Sequence, residues 1–300
     1  MSSIYSEFLD IELLSRLPSL EVKARFLVSG FLAGLHKTPF RGNSVEFKEY
    51  RDYQPGDELK LIDWKAYART DRLHIKLREE ETNMTVNLLL DRSASMDYKS
   101  SEKLMTKWNY ARALSAAFLL FLHRQRDAVA LGFIADGLEN FTRPGAHASH
   151  FHQLMVNLHR DADARNSTVA GSMHEMLSSV RRRSMVLIFS DFYEDAEALR
   201  APLSYLRHLK CEIILFHILD PMETSFSFED GMLMQELESN NKMYISPDLL
   251  RKEYKNAITS HISNLSSLAM EHNCEYLLLD TSTPPVHALG TYLSKRRAMR

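Results

Sequence analysis

The spacing of apolar residues changes character near Met84. Before it, "IELLSRLPSL" carries a short helical piece that Pro18 ends, and Ser19 is placed to cap a second helix running to about His36. The stretch that follows, "FRGNSVEFKEYRDYQPGDELKLIDWKAYARTDRLHIKLREEE", has little helical periodicity. Pro55-Gly56 suits the centre of a type II turn, because proline presets φ and glycine accepts a positive one. Leu73, Ile75 and Leu77 alternate with His74, Lys76 and Arg78, which predicts a strand.

From Met84 the pattern becomes regular. An apolar run ends at Asp91, and a helix is expected from about Glu102 to His123. "AVALGFIA" and "LENFTR" read as two short strands of a hairpin, and helices are expected near 149–160 and 171–181. The strand "SMVLIFSD" then ends at Asp191, followed by a helix near 195–208 and the strand "CEIILFHIL". An acidic excursion between Pro221 and Pro247 carries a hairpin around Asn240-Asn241. A long helix near 247–271, the strand "CEYLLLD" and a last helix complete the chain. Strands that are apolar throughout and alternate with helices predict a doubly wound, mainly parallel α/β sheet covered on both faces. The organisation expected is an N-terminal module over 1–81 and a sheet domain over 82–300 with an insertion near 221–247. The two should fold as a unit, because Trp64 and the second helix have apolar surface to bury.

Composition adds limits. A chain of 300 residues with 45% hydrophobic content can bury a sizeable core. A net charge of −2 gives it no general attraction to nucleic acid or an anionic membrane. The basic runs at Arg181-Arg182-Arg183 and near Arg296 follow or close helices, where cations complement the dipole. Cys211 and Cys274 each open a strand and read as buried free thiols in a reducing compartment. The N-terminus has acids where a signal peptide needs a basic end, and Phe26–Leu35 is far shorter than the roughly twenty residues of a membrane span. A cytoplasmic protein is expected.

The chemistry concentrates where strands end. In a doubly wound sheet, ligands bind beyond the carboxyl ends of strands, where the strand order reverses. Asp91 and Asp191 close two apolar runs, and Ser93 and Ser95 follow the first at two-residue steps. All offer hard oxygen donors, a set suited to Mg²⁺ or Mn²⁺ and poorly suited to zinc. The same spacing also serves an Asx or Ser turn that caps the following helix, and spacing alone does not separate the two. Thr168, in "NSTVAGSMHEM", precedes a helix between the two acid-bearing strands.

These residues, in this order, resemble the metal-ion-dependent adhesion site of von Willebrand factor A domains. The upstream "YQPGDELKLIDWKAYARTDRL" is similar to the signature of a bacterial branch, domain of unknown function 58, often encoded beside MoxR-type AAA+ ATPases. "FSDFYED", "HILDPME" and "YLSKRR" agree with it, so the resemblance runs over nearly the whole chain. It implies a metal held by the hydroxyls of Ser93, Ser95 and Thr168, with Asp91 and Asp191 acting directly or through water. Ser167 adjoins Thr168 and could exchange with it. An open coordination position implies a carboxylate from a protein partner, with a MoxR-type ATPase as the first candidate. Arg92, in a variable slot, is expected to face solvent, and Lys60 stands where many relatives carry arginine.

Other chemistry is thinner. His147, His150 and His152 have no neighbouring acid or cysteine to close a zinc shell and read as helix-start surface residues. Trp64 with Tyr53 and Tyr67 reads as a packed aromatic cluster, and Glu79-Glu80-Glu81 as a solvated strand end. No Gly-rich phosphate loop, Gly-x-Ser-x-Gly elbow or Cys/His nucleophile pair occurs. Two function classes follow: a non-enzymatic, metal-dependent adaptor, and a Mg²⁺-dependent hydrolase or phosphoryl-transfer enzyme using the same acids. Neither a base nor a phosphate cradle stands beside Asp91 or Asp191 in the sequence, which favours the adaptor.

Overall fold

The computed structural model describes residues 10–35, 50–52, 67, 74–76, 84–159, 161, 168–226, 232–235, 242–245, 247–285, 288 and 290. Expectations placed on Lys60, Trp64, Pro55-Gly56, Glu79–Glu81, Ser167 and Asn240-Asn241 lie outside them, as does most of the last helix. Two compact units form, Met1–Gly34 with Met84–Arg300, and Leu35–Asn83.

Helix α1 (Ile11–Arg16) begins at Asp10, whose carboxylate accepts from the Glu12 and Leu13 amides at 2.9 and 3.1 Å. Ser19 caps α2 (Leu20–Leu35) by accepting from the Val22 amide, as its position in the sequence predicts. The Lys23 ammonium of α2 reaches back to the Leu14 and Ser15 carbonyls at the end of α1. One face of α2 buries Ala24, Leu27, Val28 and Phe31, and Phe31 meets Phe121 edge-on at 6.3 Å. The first two helices thus belong to the same unit as the large sheet. The second unit contains β1 (Tyr50–Asp52) and β2 (His74–Lys76), paired antiparallel.

In the large unit, β3 (Thr85–Asp91) leads through a 3-10 turn at Ala94–Asp97 to α3 (Lys107–Arg124). Strands β4 (Ala128–Ile134) and β5 (Leu138–Glu139) form the expected hairpin, followed by α4 (Ala148–Asn157) and α5 (Val169–Met176). Then come β6 (Met185–Ser190), α6 (Arg200–His208), β7 (Glu212–Leu219) and the short α7 (Pro221–Ser225). The excursion holds an antiparallel pair, β8 (Met232–Gln235) and β9 (Lys242–Ile245). Helix α8 (Pro247–Glu271) and β10 (Glu275–Asp280) follow.

The six-stranded sheet has the order β10-β7-β6-β3-β4-β5, parallel except for β5. Both faces are covered, which explains why β6 is buried at every position. One face packs on α3, where Phe118 meets Phe189 and Phe216, and those two rings stack at 4.6 Å. The other face places Leu89, Ile188 and Leu215 with Met173, Leu203 and Leu268 from α5, α6 and α8. Cys211 and Cys274 are free and buried, each just before its strand.

Helix α3 starts at Lys107, five residues later than the sequence pattern predicts. Thr106 is its cap, accepting from the Asn109 amide at 3.2 Å. Upstream, Asp220 captures the Ser100 amide at 3.0 Å from across the fold, which holds residues 100–105 out of the helix. Thr106→Ala is expected to lower stability by about 1 kcal/mol, measurable by chemical denaturation.

Candidate metal centre

The strand order reverses between β3 and β6, and their carboxyl ends carry Asp91 and Asp191 side by side. Both are almost fully buried. After Asp91 the chain leaves the sheet and enters the 3-10 turn, with Met96 buried as its anchor. This brings the hydroxyls of Ser93 and Ser95 to 2.9 Å from each other. The two-residue steps therefore have a geometric result: they turn both hydroxyls to one point.

Each Asp91 oxygen is engaged. One accepts from the Ser93 amide at 2.8 Å, the other from the Ser190 hydroxyl at 2.5 Å. Ser190 Oγ in turn accepts from the Phe192 amide at 2.8 Å. Phe192 is buried with φ of 50°, a left-handed backbone that a bulky side chain seldom adopts. That turn carries Asp191 into Tyr193 and Glu194. Burial and the neighbouring Asp191 carboxylate push the Asp91 pKa up to about 6.

Three charged residues join this cluster that sequence reasoning missed, Lys107, Glu223 and Glu194. Lys107, at the first position of α3, is 0% exposed. Its ammonium donates to Asp191 Oδ2 at 2.8 Å and Glu223 Oε1 at 2.6 Å, and lies 5.0 Å from the Tyr193 ring centroid. Burial pulls its pKa down, but Asp191 and Glu223 outweigh that and hold it above the ordinary value. Glu223 completes a capping box with Asp220 at the start of α7. Glu194 accepts from the Ala170 amide at 3.0 Å, in the first turn of α5. Burial, with Asp91 adding repulsion, pushes its pKa up to about 7 against the pull of that amide. It is the second acid in "SDFYED" and the only signal for it was that clustering.

Thr168 stands at the cap position of α5, and its amide donates to Ala135 O at 3.4 Å, beyond the end of β4. Its side chain is exposed and folds over its own helix. A Cβ on Gly171 would lie 2.5 Å from its hydroxyl, which is why glycine fits there. Among the described residues that hydroxyl bonds none of the other four candidate ligands. The structure thus gathers Asp91, Ser93, Ser95 and Asp191, and leaves Thr168 on the adjacent loop, at the cap of the helix whose Ala170 amide donates to Glu194.

Arg92 corrects an expectation. It is 6% exposed, donating to Glu139 Oε2 at 2.8 Å and to Asp161 O at 3.0 Å, with its guanidinium 5.7 Å from the Phe133 ring centroid. The strand alternation turns it away from Asp91 as expected, but into the β5 hairpin and not into water. His150 is also engaged in the fold, its Nε2 lying 2.7 Å from Val129 O.

The donor set fits a hard divalent cation. Asp91 and Asp191 repel each other at close quarters, and the two serine hydroxyls adjoin them as neutral oxygens. Lys107 offsets Asp191, yet it is shared with Glu223, so negative charge remains in excess in the cluster.

Residues 49–264 match the family described as "Protein of unknown function DUF58". The chain belongs to that family. An uncharacterized protein of Mycobacterium tuberculosis is 26% identical over 96% of this chain and 91% of its own length. Among solved structures, an aerotolerance-related membrane protein from Bacteroides fragilis is 13% identical and covers 71% of this chain and 99% of its own, with a TM-score of 0.49. The SpRpn10 VWA domain is 11% identical over 66% of this chain and 88% of its own, with a TM-score of 0.38. The sheet of this DUF58 chain is doubly wound and mainly parallel, as the sequence pattern predicts. No helix among the described residues is long and apolar enough to cross a membrane.

Proposed function

We propose that this DUF58 protein is a non-enzymatic cytoplasmic adaptor whose strand-end cluster takes Mg²⁺ or Mn²⁺ and, through it, a carboxylate of a protein partner. The observation that supports this most is the juxtaposition of the buried Asp91 and Asp191 with the paired Ser93 and Ser95 hydroxyls. Asp91, Ser93, Ser95 and Asp191 would hold the cation, with Thr168 completing its shell from the α5 loop. When bound, the cation supplies an electrophilic anchor for an incoming carboxylate. Ser190 and the Ser93 amide fix the Asp91 carboxylate in place, and Lys107 does the same for Asp191. The first partner to test is a MoxR-type AAA+ ATPase, on the ground of the family resemblance.

The test uses calorimetry of the whole protein with that ATPase. Binding is expected in Mg²⁺, and is expected to vanish with chelator or with the double variant Ser93→Ala and Ser95→Ala, while the thermal melt stays cooperative. Binding that ignores chelator would place the partner on another surface. Phosphoester or nucleotide hydrolysis by the protein alone, lost in Asp91→Ala, would make it an enzyme instead.

A further inference from the structure

The net charge of −2 hides an uneven distribution. At the end of the sheet opposite Asp91 and Asp191, the turns leading into β4, β6 and β7 carry Arg126, Arg181, Arg182, Arg183 and Lys210, all exposed. None of the five meets a carboxylate among the described residues. Acids close by in the chain are engaged elsewhere. Asp127 is buried and accepts from the Met84 amide at 3.1 Å, and Glu212 pairs with Arg207 at 3.7 Å. Helix dipoles do not account for the arginine run. A 3-10 turn (Leu177–Ser179) follows α5, so Arg181, Arg182 and Arg183 stand beyond the last helical turn, where that effect has faded.

The backbone displays these cations in a repeated way. Arg126, Arg183 and Lys210 each stand two residues before their strand, with φ of 60°, 57° and 57°. This left-handed conformation suits glycine or asparagine, and Asn273 takes it at φ of 50° before β10. Long cations adopt it at a conformational cost, which points to a use for their charge. Backbone bonds hold the turns. Arg126 N–H donates to His123 O at 3.1 Å and Lys210 N–H to Arg207 O at 2.8 Å, while Arg183 N–H reaches Leu209 O at 3.0 Å and ties two turns together. The register keeps them level, since Ala128 pairs with Thr85, Met185 with Val86, and Glu212 with Met185. The cations therefore spread at nearly one level over about 14 Å, the three spacings from β7 to β4.

A flat anionic surface matches this array. Duplex DNA is read by a helix or ribbon that enters a groove, and single strands by aromatic platforms; short turns at a sheet end offer neither. Helices α6 and α8 run toward the same end and leave Tyr205 and Met270 exposed in their last turns, Met270 at 75%. Such side chains suit the boundary between lipid headgroups and acyl chains. We infer that this end of the sheet docks on an anionic lipid surface through Arg126, Arg181, Arg182, Arg183 and Lys210. That seating leaves the candidate metal centre, at the opposite strand ends, facing away from the lipid.

Sedimentation of the whole protein with phospholipid vesicles tests this. Binding is expected to vesicles holding about 30% phosphatidylserine and not to pure phosphatidylcholine. It should be lost as salt rises from about 0.1 M to about 0.5 M. Each cation near such a surface strengthens binding about fivefold. The triple variant Arg126→Gly, Arg183→Gly and Lys210→Gly should therefore bind about a hundredfold more weakly. It should melt no lower than the parent, because glycine suits all three backbone positions. Arg181→Ser with Arg182→Ser, away from the left-handed positions, is the second variant and should lose about twenty-fivefold. The charge-preserving set Arg126→Lys, Arg183→Lys and Lys210→Arg should bind like the parent. No sedimentation with phosphatidylserine vesicles, equal binding to phosphatidylcholine, or unchanged binding in the charge-removing variants would each overturn the docking. Tighter binding to a short DNA duplex than to the vesicles would also overturn it, in favour of a nucleic-acid surface.

Discussion

Lys107→Met is expected to lower the stability of the protein by about 3–5 kcal/mol, the cost of leaving a buried charge without its partner. Lys107 contacts two carboxylates at once, and no water reaches its side chain. Methionine fills much of the same volume, so the loss reports charge and not a cavity. The uncompensated groups would be Asp191 and Glu223, whose separation in sequence from Lys107 is 84 and 116 residues. Adding Glu223→Gln to Lys107→Met should restore part of the loss, since one of the two stranded carboxylates disappears, giving a clear departure from additivity. A divalent cation should also stabilise Lys107→Met more than the parent, because the ammonium no longer competes for Asp191. Urea denaturation with and without Mg²⁺ measures all three. A loss under about 1 kcal/mol would mean that Lys107 is solvated and that its contacts with Asp191 and Glu223 are surface pairs.

What could be read from the sequence was what depends on near neighbours. The strands announced themselves because both faces of the sheet are covered, so β6 and β7 are apolar without interruption. Helix α8 was bounded by Pro247, which fits a first turn. The serines were legible for a similar reason, since a two-residue step at a strand end has few geometric outcomes. Lys107 was not. A lysine at the start of an amphipathic helix ordinarily lies in water, and nothing within twenty residues tells that Asp191 and Glu223 converge on it. The start of α3 failed in the same way, because the side chain that holds Ser100 out of the helix comes from Asp220 across the sheet. Arg92 was half legible: its place in a variable slot predicted that it turns away from the site, while the Glu139 carboxylate and Phe133 ring that receive it belong to the next hairpin. Tertiary electrostatics escaped, and local geometry did not.

Asp91→Asn should make the metal-free protein more stable at neutral pH while removing its response to Mg²⁺. The Asp91 carboxyl has a pKa of about 6 in the fold against an ordinary value of 3.8. The folded state therefore holds a proton that the unfolded chain has already released. Stability from this group is fully present below about pH 4 and is lost as the pH rises through about 6; a gap of that size corresponds to about 3 kcal/mol. Asparagine imitates the protonated form at every pH. Its oxygen can still accept from the Ser93 amide, and its amide can donate to Ser190 Oγ, a hydroxyl oxygen with two acceptor positions. The difference between variant and parent, measured by denaturation in chelator, should thus be near zero at pH 4 and reach about 3 kcal/mol in favour of asparagine above pH 7. Taking the difference cancels the acids common to both proteins. Saturating Mg²⁺ should then raise the parent alone, by about 2–3 kcal/mol at a hundredfold excess over its dissociation constant, and close most of the gap. If asparagine instead destabilises the protein at pH 7.5 in chelator, Lys107 and the hydrogen bonds already satisfy the Asp91 charge. The carboxylate pair would then have no excess charge for a divalent cation to relieve.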